Sequence, residues 1–281
     1  VSCPYTRTCA APTITTEATS PALLQNRNHI QRIQMIDNQT IEQLRSLRLD
    51  GMLAALNDPA TAIATSELSF EQRLSLLVQR QVDWRDGKRL TRLIKNAHLK
   101  ISSASMEDIN WRATRGLDRM VMSDLASCDW VRHGRSILLT GATGCGKTWL
   151  SCALARQAAR QGFSVLYTRA SRLLQELHVA HGDGSFTKRL AKLASLDLLL
   201  IDDLALSPIT AGERSDLLEV LDDRVGTRAT IISSQVPHRD WHTWLGEPTM
   251  ADAIMDRIVH GSYKIALKGK SLRDEDEGAA Q

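Results

Sequence analysis

One octapeptide restricts the fold more than any other stretch of this chain: Gly141-Ala142-Thr143-Gly144-Cys145-Gly146-Lys147-Thr148. It has the form G-x-x-x-x-G-K-[ST], follows the apolar run Ser136–Thr140 and opens a helical pattern at 147–161. Such a loop works at the end of a strand. Its glycines let backbone N–H groups turn inward around phosphate, and the next helix adds its positive end. All eight residues are therefore assigned to nucleotide binding. Lys147 meets the β- and γ-phosphates as a point charge, and the Thr148 hydroxyl takes one position on Mg²⁺. Chance yields this pattern in roughly one per cent of chains this long, before the flanking strand and helix are required.

The surrounding pattern agrees with that loop. Apolar runs at Ser136–Thr140, Phe163–Thr168, Leu196–Ile201, Ala229–Ser234 and Tyr263–Leu267 alternate with helical stretches near 147–161, 171–180, 211–224 and 249–260. Alternation of this kind predicts an α/β fold, a parallel sheet with helices on both faces. The third run ends in two carboxylates. Beside a phosphate loop, Asp202 is expected to hold Mg²⁺ through water, and Asp203 to orient and deprotonate the attacking water. Without the loop the pair would read as an acidic turn. The fourth run ends Ser234-Gln235-Val236-Pro237, where a polar side chain can touch both the γ-phosphate and the attacking water. Gln235 is the first choice and Ser234 the second, against a plain strand-ending turn.

Residues 35–125 read as a helical domain with the role of binding DNA or a protein, and 126–270 as the nucleotide-binding domain. A helix is expected from Ser69, capped by Ser69 and Gln72, with an apolar side through Phe70, Leu74, Leu77, Val78 and Trp84. Leu90, Leu93, Ile94 and Ala97 continue it. Arg85, Lys88, Arg92 and Lys95, with Arg89 close by, form a cationic stripe nearly opposite Leu90 and Ile94 on the helical wheel. A solvated face or an anion such as DNA would each explain it. Residues 1–34, poor in periodic apolar residues, read as disordered; an alternative reading starts translation at Met35. Residues 271–281 read as a flexible acidic tail containing Asp274-Glu275-Asp276-Glu277.

Composition narrows the classes that remain. No run approaches the ~18 apolar residues of a membrane span, so no membrane partner is expected. Five cysteines, without a C-x-x-C pair, indicate neither a disulfide framework nor zinc and suit the cytoplasm. The net charge of +3 is too mild to specify a nucleic-acid partner. His178 with His181, and His238 with His242, have spacings a metal could use, but nothing completes a ligand set. Trp241 and Trp244 are expected to pack the connection after the fourth strand. Cys145 occupies a variable loop position, where oxidation would block ATP.

The phosphate loop, the Asp202-Asp203 strand end and the polar end at Gln235 resemble those of AAA+ ATPases. More narrowly, the chain resembles the IstB-like transposition helpers, which are related to DnaC-type helicase loaders. Arg115-Gly116-Leu117-Asp118-Arg119, Cys128-Asp129-Trp130-Val131 and Ala251-Asp252-Ala253-Ile254-Met255-Asp256-Arg257 carry this, with the segments at 68–74, 202–208 and 234–237. It spans about Ile41 to Arg273. The resemblance implies a helical domain before an AAA+ core. It also implies a slow, DNA-stimulated ATPase that binds double-stranded DNA, assembles on it with ATP as a homo-oligomer and recruits its cognate transposase. The alternative is a replicative helicase loader; a small-molecule kinase and a nucleotide-gated DNA-binding module are rivals of other classes. In AAA+ proteins an arginine finger sits where Arg257 lies, acting on a neighbouring subunit. Otherwise Arg257 would form a surface salt bridge with Asp252 or Asp256. Asp203 stands where most AAA+ proteins have Glu, a shorter reach that implies slower hydrolysis.

Overall fold

A computed structural model describes residues 37–58, 61, 67–111 and 115–269. The expectations for 1–34, Met35 and the acidic tail lie outside the described residues. The chain divides into two compact units between Arg85 and Asp86, not at the expected 125/126 boundary. The cause is packing after residue 85: Ala97, Ile109, Met122 and Leu125 belong to the same buried cluster as the sheet.

In the first unit, α1 (Asn38–Ser46) and α2 (Asp50–Leu56) accompany the opening half of α3 (Phe70–Asn96). Ser69 and Gln72 close the expected capping box: Ser69 N donates to Gln72 Oε1 at 3.0 Å and Gln72 N to Ser69 Oγ at 3.3 Å. The helices meet where Gly51 lies against Arg80, Gln81 and Trp84, so closely that an added Cβ would sit 2.6 Å from the Trp84 Cβ. Buried Gln81 accepts from the N–H groups of Gly51 and Met52 at 2.8 and 3.1 Å. It thereby satisfies donors that the start of α2 leaves unpaired. The apolar side expected for α3 is only partly covered. Leu77 is half-buried, whereas Phe70 is 73% exposed and Leu74, Val78 and Trp84 are exposed too. Seven-residue α2 spans about 10 Å against about 40 Å for α3, too short to cover the whole of that side.

The second unit is built on five parallel strands: β1 Ile137–Gly141, β2 Val165–Arg169, β3 Leu198–Leu204, β4 Ala229–Ser234 and β5 Tyr263–Leu267. Their order is β2-β3-β4-β1-β5. The central strands are continuous apolar runs because both faces are covered. Ile137, Leu139, Leu198, Leu200 and Ile231 point into one buried cluster. Leu138, Leu199, Ile201 and Ile232 point into the other, as the two-residue strand period requires. Each fully buried leucine or isoleucine contributes about 1.5–3 kcal/mol.

Short helices α4 (Arg119–Ala126) and α5 (Asp129–Arg132) precede β1, and α10 (Trp241–Leu245) follows β4. Helix α6 (Lys147–Arg160) lies on the first face, and α7 (Ala170–Asp183), α9 (Ala211–Asp222) and α11 (Pro248–Val259) lie on the second. The helix expected near 171–180 is α7; Gly184 at φ 76° ends it, and a further helix that the sequence reading does not include, α8 (Phe186–Ser195), follows. β3 continues past both carboxylates to Leu204, with an irregularity between Ile201 and Leu204. After β4, Trp241 is buried and donates to the Val236 carbonyl at 2.9 Å, and Trp244 donates to that of Ser207 at 2.7 Å. Both hold this connection as expected.

β1 sits between β4 and β5, so the loop after it opens where the strand order reverses. In open α/β sheets such a crevice, at the C-terminal strand ends, is where ligands bind.

Candidate nucleotide site

The octapeptide forms the floor of the site. Gly141 has φ 150°, and a Cβ there would lie 2.4 Å from the Leu267 carbonyl oxygen, so the turn out of β1 admits no side chain. Gly146 (φ 90°) hands the chain to α6 from a left-handed conformation that glycine adopts without strain. Wholly buried Cys145 donates Sγ–H to the Ala142 carbonyl at 2.9 Å, tying the loop to itself. The largely buried Lys147 ammonium donates to the carbonyls of Gly141 and Ala142, both at 2.8 Å. Ala142 and Thr143 form the exposed rim.

Asp202 is wholly buried and ringed by donors. Thr148 Oγ1 lies 3.1 and 3.0 Å from its two oxygens, the Tyr167 hydroxyl donates at 2.9 Å, and the Ser233 hydroxyl donates as well. Lys100 Nζ stands 4.0 Å from Oδ2. Burial, followed by the Asp202 charge, pushes the Tyr167 phenol well above its ordinary value, which keeps it a donor at any working pH. Asp203 takes φ 59°, a left-handed conformation that aspartate tolerates better than most residues. Its backbone N–H reaches Ser233 Oγ at 3.4 Å.

Of the two polar candidates after β4, Gln235 is the one that faces the loop: Thr143 Oγ1 donates to its Oε1 at 2.6 Å. Ser234, the second choice, is buried, donates to the Leu204 carbonyl at 2.6 Å and accepts from Val236 N at 3.1 Å, which makes it a strut.

These groups line an open cleft of about 680 Å³. By position in the chain, one wall is Thr143, Lys147, Thr148, Asp203 and Gln235, from the phosphate loop and the ends of β3 and β4. The other is Lys100, Asp108, Asn110 and Arg115, from the residues before β1. Sequence reasoning missed Lys100, Arg115, Tyr167 and Ser233. Ser233 had a signal in its place at the strand end, beside the two residues considered. The segment 97–111 had none, since no periodicity shows that it crosses α6, where Arg156 Nη1 donates to the Ser103 carbonyl at 2.9 Å. Glycines that leave room for phosphate, a buried lysine and two oxygen donors at 3.0–3.1 Å together suit a nucleoside phosphate with a hard cation.

Arg257 does not line this cleft. Its Nε donates to Asp222 Oδ1 at 2.5 Å and its Nη1 to the Ala253 carbonyl at 3.0 Å. The surface partner is thus Asp222, not Asp252 or Asp256. α11 packs against α9, whose last residue is Asp222, and Asp252 is bonded to His242 at 3.1 Å instead. His181 lies 2.8 Å from Asp216 and stacks on Phe186. Arg85, Lys88, Arg89, Arg92 and Lys95 are all exposed, and none of them lines the cleft. Arg89 donates to the Gly162 carbonyl at 3.2 Å, while Leu90, Leu93 and Ile94 on the other side are half-buried.

Comparison with known proteins agrees with this geometry. The model of the IstB-like ATP binding protein family matches residues 42–280. The chain is 51% identical over 203 residues to the ATP-binding protein of insertion sequence IS1162 from Pseudomonas fluorescens, covering 72% of this chain and 88% of that one. It is 40% identical over 239 residues to an insertion-sequence ATP-binding protein of Sinorhizobium fredii, covering 85% and 97%. Among solved structures it is similar to the DnaC helicase loader (TM-score 0.50, 16% identity, 59% of this chain and 97% of that one). DnaI gives the same TM-score at 22% identity, over 59% and 92%. These last two show the fold, an AAA+ phosphate-loop core. With the glycine cradle, the Thr148–Asp202 pair and a family match along most of its length, the chain belongs to the IstB-like ATP-binding proteins.

Proposed function

We propose that this protein is an ATP-dependent, DNA-binding helper of a transposase. It binds and hydrolyses ATP, assembles on duplex DNA as a homo-oligomer and recruits or regulates the transposase of its insertion sequence. The carrying observation is the meeting of Thr148 and Asp202 under a glycine loop whose Thr143 reaches Gln235, in a family whose relatives are insertion-sequence ATP-binding proteins. No described helix is long and apolar enough to cross a membrane, and the cytoplasm, where ATP and DNA meet, is the proposed location.

The loop N–H groups and Lys147 bind the phosphates, for which the ammonium exchanges the carbonyls of Gly141 and Ala142. Thr148 and Asp202 would hold Mg²⁺, which neutralises charge on the β- and γ-phosphates when bound. Tyr167 and Ser233 donate to the Asp202 carboxylate and so fix its orientation. Asp203 orients the attacking water and accepts its proton, and Gln235 positions the same water against the γ-phosphate. Arg257 leaves Asp222 to act on a neighbouring subunit's nucleotide. The cationic side of α3 takes DNA phosphates.

The test is binding to duplex DNA with and without ATP, followed by addition of the transposase encoded beside the gene. ATP-dependent assembly that Lys147→Ala abolishes, and that captures the transposase, is expected. Removing three cations (Lys88, Arg92 and Lys95→Ala) should flatten the log K versus log [salt] slope by roughly 2.7 units, at about 0.9 per phosphate contact. Capture of a replicative helicase instead of the transposase would convert the reading to a loader.

A further inference from the structure

We infer that Arg115 is an additional nucleotide-binding residue, whose guanidinium takes an α-phosphate oxygen at the end of the cleft remote from Asp202 and Asp203. The inference rests on the nucleotide reading of that cleft and deepens it.

Arg115 is 4% exposed, yet it lines the cleft. Its guanidinium carries five N–H donors and cannot shed its charge in a protein. Among the described residues it makes a single hydrogen bond, Nη2 to the Asn110 carbonyl at 2.6 Å. Nε is buried with no partner, and no carboxylate comes within ion-pair distance among the described residues. A buried charge left in this state is expensive unless an anion arrives.

Arg224 shows what the same fold does with a purely structural arginine. It is 1% exposed, and its guanidinium donates to Thr230 Oγ1 and to the carbonyls of Leu193, Leu196 and Ala229. Burial pushes its pKa down only to about 10, so it stays charged, with its donors occupied. Arg115 has the burial without the acceptors, and it lines the same cleft as the phosphate loop.

Register fixes which end of the nucleotide is involved. The Arg115 carbonyl accepts from Lys268 N at 3.0 Å, just beyond β5, and β5 pairs with β1 at Gly141–Leu267. Asp202 and Asp203 lie on β3, on the opposite side of β1 and beyond β4. A triphosphate laid along the loop with its γ-end at Asp203 and Gln235 therefore points its α-end toward Arg115. A planar guanidinium fork matches phosphate oxygens and their charge; a base nitrogen would leave the charge uncompensated.

The experiment compares wild type, Arg115→Met, Arg115→Lys and Lys147→Ala by calorimetric titration with ADP and with ATP, and by thermal melting without nucleotide. Arg115→Met should weaken ADP and ATP by the same factor, about 10–100-fold, the range for a charge-assisted hydrogen bond. Its nucleotide-free melting temperature should hold or rise, because an uncompensated buried charge has gone. Arg115→Lys, which keeps charge without the fork, should lose less, and it carries the ADP-to-ATP comparison if Arg115→Met does not fold. A lowered melting temperature with unchanged ADP affinity would make Arg115 a strut for Asn110 and overturn the inference. A loss confined to ATP would also overturn it, by placing the guanidinium at the γ-phosphate. If Lys147→Ala loses ADP while Arg115→Met keeps it, this inference alone fails; if Lys147→Ala keeps ADP, the nucleotide reading of the cleft fails.

Discussion

The two walls of the cleft were made in different ways. The wall of the phosphate loop and the ends of β3 and β4 consists of short contiguous segments: eight residues, two carboxylates and a strand-ending glutamine. The other wall comes from 97–111 and Arg115, which are held by long-range bonds. Tyr167 N donates to the Ala97 carbonyl at 2.8 Å, Arg156 binds Ser103 and Lys268 binds Arg115. The first wall carries groups suited to chemistry. The second carries cations whose counter-charges are partly missing. A motif can specify what a site does, while the tertiary frame around it sets how firmly the ligand is gripped.

Variants can sharpen or break that division. The largest effect is expected from a residue on neither wall. If Arg257 serves a neighbouring subunit, Arg257→Ala should lose about 10³-fold or more in ATP hydrolysis. Mixing it with Lys147→Ala subunits should restore part of the activity. Near-normal turnover by Arg257→Ala alone would leave it as the surface partner of Asp222, an exposed pair worth about 0–1 kcal/mol. Next comes Asp203→Asn on the chemical wall, which should cut single-turnover phosphate release about 100-fold or more while ATP binding persists. Retained hydrolysis would remove Asp203 from the water-activating role.

Smaller effects belong to the frame. Tyr167→Phe deletes one donor to a buried carboxylate and should raise the Mg²⁺ concentration for half-maximal nucleotide binding about tenfold. An unchanged Mg²⁺ titration would mean that Thr148 and Ser233 suffice. Lys100→Ala, at 38% side-chain exposure and 4.0 Å from Asp202, should change nucleotide affinity only about two- to fivefold, with the effect shrinking in high salt. A larger, salt-insensitive loss would move Lys100 to the chemical wall.

The same division explains what was legible beforehand. The five strands were visible because apolar runs of that length between turn signals have few other uses, and the loop because its spacing is mechanistically constrained. The end of α7 is legible in Gly182-Asp183-Gly184, a turn signal just past the expected helix, whereas α8 between that turn and β3 is not among the stretches expected. The uncovered start of α3 was not readable: amphipathicity gives the direction a face points and not the length of the helix that will cover it. Nor could periodicity reveal Tyr167, Lys100 and Arg115 at the site. Their placement depends on which strand neighbours which.

The insertion of β1 between β4 and β5 has a consequence for how the protein is born. A ribosome releases α1, α2 and α3 first, then β1 with its phosphate loop, but neither neighbour of β1 yet exists. At about 5–20 residues per second the strand waits on the order of ten seconds for both. Throughout that interval the emerging chain has a nucleotide motif without a nucleotide site.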